Sequence, residues 1–242
     1  TNAEGLIDVP PNPLKLWMVV LDNSVGLDPF LNSLYLRALK ASREACGLAG
    51  DAEGAARCNA RIAKTEPAVR ALLAKNPLKD RKSLYSHSTG IYEVIESLFS
   101  EGDSAAALAL IRQRWGALLS CGADTLFEGM YSDSMPRLTE RHENNDLAHI
   151  SFCHGWTAGP CSLLPAWIAG IRPLEPGFTR FTVAPAPVDL TWFKTAVPTP
   201  HGEIGLVFRD GTYTLSVPEN TTAVFRLNGK ENEFGSGVHT IK

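Results

Sequence analysis

Up to about residue 170 the hydrophobic positions recur at intervals of three and four, the period of helices packed on one face. In LDPFLNSLYLRALKASREACGLA (27–49), Leu27, Phe30, Leu31, Leu34, Tyr35 and Ala38 share such a face. Gly50-Asp51 ends the run, and AEGAARCNARIAKTEPAVRALLAK follows as a second helix. Pro67, which has no amide proton to donate, is expected to interrupt or bend it. The two read as a hairpin. LYSHSTGIYEVIESLFS (84–100) and DSAAALALIRQRWGALL (103–119) form another, parted by Glu101-Gly102, with Asp103 or Ser104 suited to cap the second helix. LAHISFCHGWTAGPCSLLPAWIAG (147–170) predicts a further apolar helix with an irregularity at Gly159-Pro160.

From Arg172 the period changes to two. FTRFTVAP, DLTWFKTAV, GEIGLVF, TYTLSV and TAVFRLN are short β-prone runs divided by proline and glycine. Phe178, Phe181, Val183, Leu190, Trp192, Leu206, Phe208, Tyr213 and Leu215 fall largely in alternation, so one face of an antiparallel sheet should be buried. Pro173 and Pro176 end the helical part between Ile171 and Gly177. The fold class is therefore α then β, in two regions, 1–171 and 172–242.

Composition narrows the chemistry. The 242 residues, 44% hydrophobic and 20% charged, suffice for a sizeable core in one large or two unequal domains. A formal charge of −3 gives no electrostatic reason to expect nucleic acid or an anionic membrane as partner. The longest apolar run, around Leu163–Ile171, falls short of the roughly 18 to 20 residues that span a bilayer. The opening TNAEGLIDVPPNP has neither the basic start nor the apolar centre of a signal peptide, which leaves periplasm and cytoplasm both open. Cys46, Cys58, Cys121, Cys153 and Cys161 are scattered, with no C-x-x-C pair, and read as reduced, mostly buried thiols rather than metal ligands. No metal and no cofactor is expected. G-x-S-x-G, the phosphate-binding G-x-x-x-x-G-K loop and G-x-G-x-x-G are all absent.

Two stretches carry candidate chemistry. In GADTLFEGMYSD, Glu128 follows a break in the helical pattern and reads either as a catalytic carboxylate or as a helix-start glutamate satisfying backbone donors. Asp124, shorter and earlier, reads better as a turn or cap. In CHGW, His154 is a hydrogen-bonded core residue or a contact to a polar ligand, and Trp156 packs the core or stacks on a ligand face. His149 lies on another part of the helical wheel, so a metal-binding pair with His154 is not expected. Trp115 has helical core spacing, Glu93 and Glu96 share a solvated face, and His87 would border a cleft only if its helix faces inward.

GADTLFEGM, then SFCHGWTAGPCSLLPAWIAGIRPLEPGFTRFTVAP, then a β-rich tail with TPHGEIGLVF and TLSVPENTTAVF, occur in an order that resembles the carboxyl-terminal half of bacterial family 78 α-L-rhamnosidases. The likeness extends back to LNSLYLRALKASREACGLAGD. It implies a partial (α/α)6-type helical barrel followed by a small antiparallel β-sandwich, since only about five or six helices precede residue 172. It further implies an inverting hydrolase of terminal α-L-rhamnosides in which Glu128 is the general base and His154 binds the sugar; Trp156, two positions on, is then a candidate to stack on the sugar or to pack the barrel. The family carries its general acid in an earlier Asp/Arg/Glu-rich motif that this sequence lacks, so the isolated chain should be inactive or nearly so. Such an open arc would self-associate or pair with the missing half. A non-catalytic carbohydrate-binding or structural relative, and another barrel glycosidase such as an α-fucosidase, stay open as alternatives.

Overall fold

The computed structural model describes residues 1–8, 26–76, 88–120, 122–127 and 151–242. They form two compact units, Thr1–Val94 and Ile95–Lys242.

In the first unit α1 (Pro29–Leu48) and α2 (Ala52–Lys75) pack as the expected hairpin. Both start on an aspartate cap: Asp28 accepts from the amide of Leu31 and Asp51 from that of Gly54, each at 2.8 Å. The turn between them closes by Asp51 N–H donating to Cys46 C=O (2.9 Å) and Gly50 N–H to Gly47 C=O (3.3 Å), which satisfies the last carbonyls of α1. Pro67 lies inside α2, which continues through it without interruption. Pro67 and Ala63 are both exposed, so the carbonyl that loses its donor is open to water. Asn32, fully buried, accepts from Ile7 N–H (2.7 Å) and donates to Ile7 C=O and Asp28 C=O (2.9 Å each). Thr65 donates to Gly5 C=O at 3.0 Å, so a short amino-terminal turn is held against both helices. Glu93 pairs with Arg37, a partner its sequence position does not disclose.

α3 (Ser88–Ser100) runs through the division between the units and buries Ile91, Val94, Ile95, Leu98 and Phe99. In the second unit Asp103 caps α4 (Ser104–Ser120) by accepting from Ala106 N–H at 3.1 Å. α4 buries Ala107, Leu108, Leu110, Ile111, Trp115 and Leu118. The segment 151–170 departs from the expected helix well before the irregularity foreseen at Gly159-Pro160. His154 is extended (φ −134°, ψ 116°), Gly155–Thr157 make one 3-10 turn, and α5 (Gly159–Leu163) leads into a single π turn, Leu164–Ile168. Pro160 and Pro165 have no N–H to offer a preceding carbonyl, which explains why the winding changes around them. Trp167 of the π turn stacks on Phe99 (5.7 Å between centroids, 4° between planes), and Arg172 lies 4.5 Å over the same ring.

The remaining chain forms two four-stranded sheets. The first has the order β1-β2-β6-β7, from β1 (Ile171–Pro173), β2 (Arg180–Val183), β6 (Thr222–Leu227) and β7 (Lys230–Phe234). The second is β3-β4-β5-β8, from β3 (Trp192–Thr199), β4 (Gly202–Arg209), β5 (Thr212–Val217) and β8 (Gly237–Ile241). Every pairing is antiparallel except β2 with β6, which run parallel with Phe181 opposite Ala223 and Val183 opposite Phe225. The expected all-antiparallel arrangement is corrected at this one seam. The chain leaves β2, builds three strands of the other sheet and returns beside β2, a crossover that a tight hairpin does not produce. Both sheets contribute to one core of Phe181, Val183, Ile204, Leu206, Phe208, Tyr213, Leu215 and Phe225 among others, as a β-sandwich does. Trp192, expected among the inward residues, is 60% exposed and faces outward on β3.

Cys46 and Cys58 are half-buried and Cys153 and Cys161 exposed, all free thiols, so the described cysteines are less buried than expected.

Candidate functional site

Glu128, His149 and His87 lie outside the described residues. What is described is the segment that leads to Glu128 and the turn that carries His154 and Trp156.

α4 ends with Gly122 N–H donating to Leu119 C=O (3.1 Å) and Ala123 N–H to Leu118 C=O (3.0 Å). The chain then passes Asp124, exposed in a bend as suits a turn residue, and reaches Phe127, which is 3% exposed. Three successive residues tie this segment to 152–154. Thr125 Oγ1 donates to Phe152 C=O. His154 N–H donates to Leu126 C=O at 2.7 Å. The Phe127 ring meets Phe152 edge-on, with centroids 4.9 Å apart and planes at 83°.

The turn itself is wound tightly. Thr157 donates its hydroxyl to His154 C=O at 2.8 Å, and Trp115 Nε1–H of α4 donates to Thr157 C=O at 2.8 Å. Thr157 is fully buried, whereas His154 is half-buried and Trp156 45% exposed. The two rings lie together, centroids 4.3 Å apart and planes inclined at 42°. An imidazole and an indole presented side by side, on a backbone fixed from below, offer a hydrogen-bonding nitrogen beside a flat apolar face. That pairing suits a ligand with hydroxyls on its rim and C–H groups on its face.

His154 and Trp156 are thus brought together, but on a turn rather than on the inward face of a helix. Trp115 was legible only as a core residue, and Thr157 not at all. Their part depends on backbone carbonyls, which every residue type carries. Among the described residues no group of three or more His, Cys, Asp or Glu side chains could hold a metal ion. Two clefts of about 490 and 450 Å³ occur in the first unit, around Lys64 of α2 and the amino-terminal turn, and neither is lined by His154 or Trp156.

Residues 170–242 match the family model of the bacterial alpha-L-rhamnosidase C-terminal domain. This segment is similar to that domain. The chain is similar in fold to an α-L-rhamnosidase from Aspergillus terreus, with a TM-score of 0.67 and 21% identity over 92% of this chain and 31% of that one. The corresponding values for an α-L-rhamnosidase from Dictyoglumus thermophilum are 0.66, 16%, 85% and 30%. For the GH78 family rhamnosidase of Bacillus sp. GL1 they are 0.59, 20%, 89% and 26%. No curated protein matches the sequence. The chain spans less than a third of each of these structures, and the likeness covers helical residues as well as the matched segment 170–242. At these identities it is a likeness of fold. The resemblance read from GADTLFEGM and CHGW is to the carboxyl-terminal part of such enzymes, and the matched segment follows those motifs in the sequence.

Proposed function

We propose that the chain is the carboxyl-terminal portion of an inverting glycoside hydrolase acting on terminal α-L-rhamnosides. In this reading residues 1–171 are part of an (α/α)6-type barrel and residues 172–242 its β-sandwich cap. Glu128 removes a proton from water, which attacks the anomeric carbon from the face opposite the leaving oxygen and gives the β anomer of rhamnose. The proton for the leaving oxygen comes from an acid on a part of the enzyme outside this sequence. His154 holds a sugar hydroxyl through a ring nitrogen, and Trp156 lies against the sugar's C–H face. The carboxyl-terminal portion completes its barrel by pairing with the remainder of the enzyme, or with a second copy when alone.

The observation that carries the reading is the match of residues 170–242 to a domain defined in α-L-rhamnosidases. The ties from Thr125, Leu126 and Phe127 to 152–154 support it. They anchor the chain one residue before Glu128 to the turn that bears His154. The test is proton NMR of the sugar first released by the complete enzyme from an aryl α-L-rhamnoside, beside a panel including the α-L-fucoside. Release of β-rhamnose from the rhamnoside alone is expected. First release of the α anomer would refute inversion, and release of fucose alone would move the chain to another barrel glycosidase.

A further inference from the structure

We infer that Trp115 and Thr157 are positioning residues that set the orientation of His154 and Trp156 toward the sugar. The inference rests on the reading of His154 as a sugar contact and adds to it the means by which that contact is held.

Three hydrogen bonds run in series. Trp115 Nε1–H donates to Thr157 C=O, Thr157 Oγ1–H to His154 C=O, and His154 N–H to Leu126 C=O, at 2.8, 2.8 and 2.7 Å. The series begins on a regular helix, passes through a fully buried threonine and ends on the segment that leads to Glu128. A second bond to His154 C=O, from Thr157 N–H, is long at 3.3 Å, so the hydroxyl is the firmer hold on that carbonyl. Gly155, next in the chain, has no side chain, and a methyl group built there would meet nothing within 4 Å. The peptide plane between His154 and Gly155 is therefore restrained by hydrogen bonds and not by packing at Gly155. Rotation about ψ of His154 carries that carbonyl and the chain bearing Trp156 around relative to the His154 ring, its neighbour at 4.3 Å. Trp115 acts one step earlier, because its indole fixes the carbonyl of the residue whose hydroxyl does the holding.

The buried position of Thr157 allows a clean substitution. Thr157→Val keeps the branched shape and loses the hydroxyl, while Thr157→Ser keeps the hydroxyl. Trp115→Phe keeps most of the ring and loses the N–H. Two readouts are needed. Hydrogen exchange at the His154 amide, measured on this chain, should quicken about five- to tenfold in Thr157→Val and Trp115→Phe and stay near wild type in Thr157→Ser. In the complete enzyme the first two variants should raise KM for an aryl α-L-rhamnoside about five- to tenfold with kcat changed far less, and Thr157→Ser should restore it. Unchanged exchange in Thr157→Val overturns the series of bonds, whatever the enzyme turns over. Quickened exchange with an unaltered KM overturns the positioning role. A wild-type enzyme inert toward rhamnosides refutes the functional reading, and with it the positioning role, while exchange still decides whether the bonds exist.

Discussion

Arg112 of α4 grips Asp189, three residues before β3, with both prongs of its guanidinium: Nη1 lies 2.7 Å from Oδ2 and Nη2 2.9 Å from Oδ1. This ties the helix that carries Trp115 to the sandwich through a planar, two-bond pair. The hydrogen bonds from Arg112 hold the Asp189 carboxyl below the usual aspartate range, although both side chains are about half exposed.

The pH dependence follows in sign from that lowered value. A carboxylate whose folded value is depressed contributes stability above its unfolded value and loses it as the pH falls through the folded one. The difference in melting temperature between wild type and Asp189→Asn should be small, constant above about pH 5, and should vanish in stronger acid. High salt should shrink it too. Thermal melts from pH 7 to pH 3 check this. A difference that grows toward acid would contradict the pair's contribution.

Gly170 joins the π turn to β1 with φ +72°, and a Cβ there would lie 2.1 Å from Ala184 C=O. The backbone of Gly170 also accepts from Ala184 N–H at 3.1 Å, so the two chains cannot separate without losing the bond. Gly170→Ala should destabilise the protein by roughly 2 kcal/mol or more, read by urea denaturation. A cost below about 0.5 kcal/mol would contradict this close approach.

The hairpin helices were legible because local signals agreed: a three-four apolar period, aspartates at the starts and glycine at the turns. Strands β2 to β6 largely coincide with the alternating runs for the same reason. β7 was not, since KENEF is an exposed edge strand with no alternation to read. The parallel seam between β2 and β6 was hidden because it joins residues about forty apart, and nothing in a strand's own period states which neighbour it pairs with. At the candidate site, His154 and Trp156 stood out by residue type. The break at His154–Thr157 is not legible, because apolar content alone does not show how far the irregularity expected at Gly159-Pro160 reaches back along the chain. Glu93 was read as solvated for want of any local sign of Arg37, which lies far off in sequence.

Trp156 is 45% exposed, so its replacement should weaken ligand binding more than folding. Trp156→Ala in the complete enzyme should raise KM for an aryl α-L-rhamnoside about three- to tenfold and shift stability by less than about 1 kcal/mol. Steady-state kinetics and a denaturation curve on the same sample separate the two effects. A large loss of stability with KM unchanged would assign Trp156 to packing.

If Glu128 is the base proposed for a rhamnoside-cleaving site, turnover must collapse in Glu128→Gln of the complete enzyme. The amide keeps the size of the carboxylate but cannot take a proton from water. A fall in kcat of roughly 10²- to 10⁴-fold is expected, with KM and the circular dichroism spectrum little changed. Turnover within a factor of two of wild type would contradict it.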